Sequence, residues 1–286
     1  LHGAHARTQK TVHSATEHIK FYDMKNLNIN GLAVKDSDNG KIPLLFVHAF
    51  PLSLKMWENQ VSTFGTDYRV VTYDIRGLGK SSQNDNQFMM ETYADDLINL
   101  INVLKLEKVN AAGLSMGGYI IQRALLKNPE LFKTVILADT RLERDSNDGL
   151  SSRATAIQRI KTGKRQEFLE TFTKNLVSSE NFKNKELMSK IYSIIEDNND
   201  EGICGALLAL ATRSDNVGAF KNCNMPALVI VGEHDVLTPI EAGIKIKEEF
   251  RNSEMHVIKD SGHLSNMENP VEFNRSLKGF LEKHNE

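Results

Sequence analysis

Gly113–Leu114–Ser115–Met116–Gly117 reads G-x-S-x-G, and it lies between a strand-like run, Lys108–Ala112, and a helix-like run, Met116–Asn128. In that setting the spacing has a steric cause. A strand that turns sharply into a helix, with the serine held in a strained conformation, leaves no room for side chains two positions before and two positions after it. Gly118 gives further room. Such a turn lifts the serine hydroxyl clear of the backbone at the carboxyl end of a sheet, above the positive end of a helix. Ser115 is therefore the candidate nucleophile.

Outward from this turn, short apolar runs alternate with helical stripes. Asn28–Lys35 reads as an early antiparallel strand, and Pro43–Val47 and Arg69–Tyr73 as strands buried on both faces. Tyr93, Leu97, Leu100, Ile101 and Leu104 fall on one helical stripe, and Thr134–Ala138 is a further buried strand. This alternation predicts an α/β fold, a mostly parallel, doubly wound sheet with helices on both faces. From Arg141 to Ala219 the rhythm changes to helices alone: one near Ala154–Ile160, one with Phe168 and Phe172, one with Leu187, Ile191 and Ile195, and one near Leu207–Leu210, with a turn at Asn198–Asp200. The sheet pattern resumes at Ala227–Val231, followed by a helix near Ile240–Phe250, a strand near Met255–Ile258 and a last helix from Pro270. The expected organisation is a core of residues 20–140 and 220–286, with a helical lid, 141–219, inserted between two strands.

His48–Ala49–Phe50–Pro51 follows the Pro43–Val47 strand directly. In a fold built around such a serine turn, the loop after that strand supplies one backbone N–H to an oxyanion hole, and the residue after the nucleophile supplies the other. These donors are assigned to Phe50 and Met116. His48 is read as a brace for its own loop.

Three more segments accompany the serine turn: Tyr73–Asp74–Ile75–Arg76–Gly77–Leu78–Gly79–Lys80–Ser81, Gly232–Glu233–His234–Asp235–Val236–Leu237–Thr238–Pro239 and Ser261–Gly262–His263–Leu264–Ser265. In this order they resemble the α/β-hydrolase superfamily, over about residues 20 to 282. Within it the chain is similar to the small esterase and 3-oxoadipate enol-lactonase-like group. Ala49 departs from the glycine that many such proteins carry there, and leaves the donor at Phe50 in place.

The order Ser115, Asp235, His263 is the one such folds use. His263 is the expected general base and Asp235 the acid that orients it. Asp139, just after the preceding strand, is the rival acid. His234 is expected to be a bystander, and Asp74 and Arg76 to pin their loop. The expected activity is cleavage of a small carboxylic ester or lactone through an acyl-enzyme, with no cofactor and no metal. A carbon–carbon bond hydrolase, a perhydrolase, an acyltransferase or a hydrolase-fold ligand receptor would keep the same triad. The substrate is expected to be largely uncharged. Phe50, Met116 and Trp57 would lie near it, with Ile157, Ile160, Phe168 and Phe172 available to cover an apolar acyl group.

Composition sets outer bounds. The 286 residues are 40% hydrophobic and 25% charged, with a net charge of -2, and nothing in this balance suggests a phosphate-binding surface for nucleic acid. No apolar run reaches the roughly 18 to 20 residues that span a bilayer. The reading is a soluble, cytoplasmic chain, with export as the alternative if a signal peptide preceded Leu1. Residues 1–19 read as a flexible leader holding His2, His5, His13 and His18, four of the nine histidines. Cys204 and Cys223 have no metal-type spacing, and the sequence leaves open whether they pair. Oligomeric state is not readable.

Overall fold

The computed structural model describes residues 20–83 and 86–285; the His-rich opening and its four histidines lie outside them. Strands β1 (Lys25–Ile29) and β2 (Leu32–Asp36) form a hairpin. The single early strand expected over residues 28–35 is thus two. Asn30 and Gly31 both have positive φ, 51° and 87°, and this Asn-Gly pair makes the tight turn that twisted hairpins favour.

β3 (Pro43–Val47), α1 (Glu58–Phe64), β4 (Arg69–Tyr73) and α2 (Met90–Val103) follow. Next come β5 (Val109–Leu114), α3 (Met116–Lys127) and β6 (Phe132–Ala138). Four helices, α4 (Asn147–Lys161), α5 (Arg165–Thr173), α6 (Lys185–Glu196) and α7 (Asp200–Ala211), stand between β6 and β7 (Ala227–Gly232). The chain ends with α8 (Ile240–Glu249), β8 (Ser253–Ile258), α9 (Ser265–Glu268) and α10 (Pro270–His284).

The strands form one eight-stranded sheet in the order β1-β2-β4-β3-β5-β6-β7-β8. β1 and β2 are antiparallel, and every pairing from β4 to β8 is parallel. The central strands are buried on both faces, which is why they read as nearly continuous apolar runs. From β3 the chain moves one way to β4 and then the other way to β5. This reversal opens a crevice at the carboxyl ends of β3 and β5, where open α/β sheets bind ligands. The loop carrying His48–Phe50 and the turn carrying Ser115 both leave the sheet there.

The inserted helices are tied to this edge by polar contacts. Asn198, buried between α6 and α7, donates its amide to the Pro51 carbonyl at 2.7 Å, and its side-chain oxygen accepts from Gly79 N–H at 2.6 Å. Leu264 N–H donates to the Leu176 carbonyl at 2.9 Å, joining the insertion to the loop that carries His263. Among the described residues no helix is long and apolar enough to cross a membrane. Cys204 and Cys223 are both free thiols.

Candidate active site

Ser115 sits at the break between β5 and α3 with φ 53° and ψ -111°, a conformation that L-residues rarely adopt. Holding it costs of order 1–3 kcal/mol, so the surroundings must enforce it. They do so by close approach. A Cβ on Gly117 would lie 2.1 Å from the Val47 carbonyl oxygen, and one on Gly113 would lie 2.4 Å from the Gly117 oxygen. The two glycines let α3 press against the end of β3, which sets the start of the helix, at Met116, beside the loop that contains Phe50. Phe50 borders the Ser115 cavity; the Met116 side chain is fully buried.

His263 lies in the loop between β8 and α9, with its side chain 3% exposed. Its Nδ1 donates to Asp235 Oδ2 at 2.8 Å. The Asp235 carboxylate also accepts from Leu237 N–H at 2.8 Å, Thr238 N–H at 2.9 Å and the Thr238 hydroxyl at 2.5 Å. Thr238 is a site residue that sequence reading passed over, although the spacing from Asp235 is a side-chain-to-backbone turn of ordinary kind. Burial would raise the Asp235 pKa, but His263 and these donors outweigh it and hold it below the usual carboxylate range. Burial alone would lower the His263 pKa; the Asp235 carboxylate outweighs that and holds it above the ordinary imidazole value.

Asp139, the rival acid, is fully buried with φ 45°. It accepts from Gly232 N–H at 2.7 Å and from the Ser265 hydroxyl at 2.5 Å, which ties the ends of β6 and β7 to the start of α9. Burial, then the nearby Asp235 charge, push its carboxyl well above the usual range. His48 is a brace. Its Nε2 accepts from Ile75 N–H at 2.8 Å and its Nδ1 donates to the Ala49 carbonyl at 2.9 Å, an arrangement that requires a neutral ring. Burial pushes its pKa down to about 4. Asp74 accepts from Leu54 and Lys80 N–H, both at 2.8 Å, and Arg76 forks onto Asp96 at 2.8 and 2.7 Å.

Ser115 and His263 line one cavity of about 200 Å³, together with Phe50, Tyr119, Leu237 and Thr238 from the core. The other wall comes from Arg141, Asp145, Arg153, Phe172, Leu210 and Arg213. This wall departs from the apolar cover expected from the helical stripes. Of those four stripe residues Phe172 alone borders the cavity; Phe168 stacks on it at 5.5 Å, and Ile160 is buried in packing. Trp57 is fully buried against Phe46 and Phe273, away from the cavity lining.

Three guanidiniums thus face one carboxylate. Arg153 pairs with Asp145, and Arg213 Nη1 lies 2.8 Å from the same group. Arg213 also stacks its guanidinium on the Tyr119 ring, 4.5 Å from the centroid. Burial opposes ionisation of Asp145, but the two arginines prevail and hold its pKa below the ordinary value. Arg141 has no ion pair among the described residues and donates to the Leu237 carbonyl. Glu143, close in sequence, is engaged by Lys245 at 2.5 Å.

Among the described residues one cluster has potential metal-ligating atoms close together: Glu233, His234 and Asp260, exposed, with atoms within 4.8 Å of one another. It lies outside the cavity lining.

Comparison with known proteins shows the family. Residues 42–270 match the family described as alpha/beta hydrolase fold. The chain is 28% identical over 238 residues to 3-oxoadipate enol-lactonase 1 of Acinetobacter baylyi, covering 83% of this chain and 88% of that one. It is 27% identical over 267 residues to a non-heme chloroperoxidase of Kitasatospora aureofaciens, covering 87% and 95%. Among solved structures, a thermophilic esterase from Thermogutta terrifontis with malate bound superposes with a TM-score of 0.85 at 32% identity, over 91% of this chain and 99% of that one.

Proposed function

This chain belongs to the alpha/beta hydrolase fold family and is an ester-hydrolysing enzyme, and we propose that it cleaves small carboxylic esters or lactones with Ser115 as nucleophile, His263 as base and Asp235 as the orienting acid. The observation that carries this reading is the buried 2.8 Å bond from His263 Nδ1 to Asp235, in a cavity that His263 shares with the strained Ser115.

With Nδ1–H committed to Asp235, Nε2 is the free lone pair that takes the Ser115 hydroxyl proton as Oγ attacks the substrate carbonyl. The oxyanion that forms is met by the backbone N–H groups of Phe50 and Met116. Collapse expels the alcohol, which leaves with the proton from His263, and the acyl group remains on Ser115. Water then loses a proton to His263, attacks the acyl-enzyme, and the freed Ser115 oxygen recovers that proton. One ester and one water give one acid and one alcohol; from a lactone both groups stay on one molecule. Residues 141–219 serve as the cap over this cavity, on a core of residues 20–140 and 220–286. Among the relatives, the enol-lactonase and esterase names support this activity.

A fluorophosphonate probe tests the assignment. It labels Ser115 in the wild type, and Ser115→Ala loses both the label and several orders of magnitude in kcat. Labelling that persists in the alanine variant would sink it.

A further inference from the structure

Phe172 borders two spaces at once. One is the catalytic cavity of about 200 Å³ that holds Ser115 and His263. The other is a groove of about 450 Å³ between α4 and α5, lined by Ser152, Thr155, Asn175 and Phe168. Its α4 wall is exposed to solvent at Ser152 and Thr155. Among the described residues no other residue is common to the two linings. The ring is held from two directions. It meets Phe50, in the loop after β3, edge to face at 5.6 Å, and it stacks on Phe168, one helical turn back, at 5.5 Å. Both are favoured arrangements of aromatic rings, and the four-residue spacing brings the second pair onto one face of α5. Thr173, the next residue, is fully buried. Its hydroxyl donates to the Leu169 carbonyl at 2.8 Å and shares a hydrogen bond with the Tyr192 hydroxyl of α6 at 3.0 Å. The end of α5 thus has an anchor that does not depend on the Phe172 ring.

We propose that Phe172 sets the upper size of the substrate: its ring divides one longer cleft into an inner part, where the ester reacts, and an outer part that a substrate of the wild type does not reach. The inference rests on the hydrolase reading above and names the residue that selects among its substrates. A boundary made by one side chain can be removed without moving the backbone. Shortening Phe172 should join the two spaces, so that a chain too long for the inner cavity runs on between α4 and α5. In a closed pocket a single methylene more or less is worth about 10–200-fold in discrimination. The length of chain accepted therefore reads directly on where the cavity ends.

The test compares p-nitrophenyl butyrate with p-nitrophenyl octanoate on the full chain. The wild type should favour butyrate in kcat/KM. Phe172→Ala should raise the octanoate-to-butyrate ratio by about tenfold or more, through a lower KM for octanoate, with kcat for butyrate kept within about threefold. Phe172→Trp, which keeps the partition, should leave the ratio unchanged. Phe172→Leu should raise it less than alanine does, and it carries the comparison if the alanine variant does not fold. Thr155→Trp fills the groove from α4, where the Thr155 hydroxyl bonds to the Ser151 carbonyl of its own helix. Alone it should leave the ratio as in the wild type; added to Phe172→Ala it should restore the wild-type ratio. That reversal separates an opened passage from a loosened cap. An unchanged ratio in Phe172→Ala, or a gain that survives Thr155→Trp, overturns the inference and, with Ser115 still labelled by the probe, leaves the hydrolase reading standing. If neither ester is turned over and Ser115 is unlabelled, the hydrolase reading fails instead, and calorimetry with 1-octanol decides the partition by itself. Phe172→Ala should then bind the alcohol about tenfold more tightly than the wild type, with the gain cancelled by Thr155→Trp, and equal binding overturns the inference.

Discussion

His263 Nδ1 lies 2.8 Å from the Asp235 carboxylate, whereas Asp139, the other buried acid at this edge of the sheet, accepts from Gly232 and Ser265. The two acids therefore have separable jobs. Asp235→Asn should lower kcat by about 10⁴-fold, because an amide leaves the imidazole in the wrong tautomer. Asp139→Asn should cost far less. Its carboxyl is already held well above the usual range by burial, so an uncharged amide is a modest change. Kinetics on one ester for both variants decide it; the opposite order of losses would make Asp139 the acid.

Activity should rise with pH through the titration of His263. In the proposed mechanism the free imidazole is the base, and Asp235 holds the pKa of the ring above its ordinary 6.5 despite burial, so the acid limb of kcat/KM should lie above that value. Arg141 acts in the opposite sense, since a nearby cation disfavours the imidazolium. Arg141→Gln should thus move the limb to higher pH. A pH–rate profile of the two proteins checks the direction, and a shift to lower pH would contradict it.

The Asp145 cluster should matter for stability as well as for charge. Asp145→Ala removes the ion partner of Arg213, whose side chain is 3% exposed, and should cost about 3 kcal/mol or more. The wild-type contribution has a definite pH sign. Because the folded pKa of Asp145 is depressed, the stabilisation is present above the unfolded carboxylate pKa and is lost as pH falls through the folded one. Urea midpoints at neutral and acidic pH should converge for wild type and variant. A constant gap would show that packing, not charge, is lost.

Gly117→Ala should be more damaging than a helix propensity would suggest. Alanine favours helices over glycine, but here its Cβ would meet the Val47 carbonyl at 2.1 Å. Forcing the α3 start away from β3 should cost about 3 kcal/mol or more and displace Met116 from its proposed oxyanion position. Denaturant unfolding together with fluorophosphonate labelling rates would reveal both effects.

Chain length and metal requirement can be read in one assay. The cavity of about 200 Å³ should favour short acyl groups, so a p-nitrophenyl series should peak near its short end. Chelator should leave turnover intact, since every group in the proposed mechanism belongs to the chain. A maximum at long chains with activation at a lipid–water interface, or loss of activity in chelator, would require another mechanism.

Much of the fold was legible because its causes are local. Strands buried on both faces are apolar along most of their length, so Pro43–Val47, Arg69–Tyr73 and Ala227–Val231 stand out as runs, and all three pair in parallel within the sheet. The sharp turn at Ser115 demands small residues at fixed spacing, so Gly113 and Gly117 announce it, and the positive φ of Ser115 is its result. The early hairpin was missed at Asn30–Gly31, where a two-residue turn interrupts a run that otherwise reads as one strand.

The character of the cavity was decided by tertiary structure alone. Arg141 and Asp145 come from the loop after β6, Arg153 from α4 and Arg213 from the loop after α7, and they meet only once the insertion folds back over the sheet. Hydrophobic periodicity detects the face of a helix that packs, and it is blind to charged residues that turn inward to pair with one another. Arg213 reads in the sequence as an ordinary surface cation; it is buried because Asp145 and the Tyr119 ring, 68 and 94 positions away, meet it there. Local sterics therefore wrote the turn at Ser115 into adjacent residues, whereas the positive field facing it depends on long-range charge pairing that no short stretch of the chain contains.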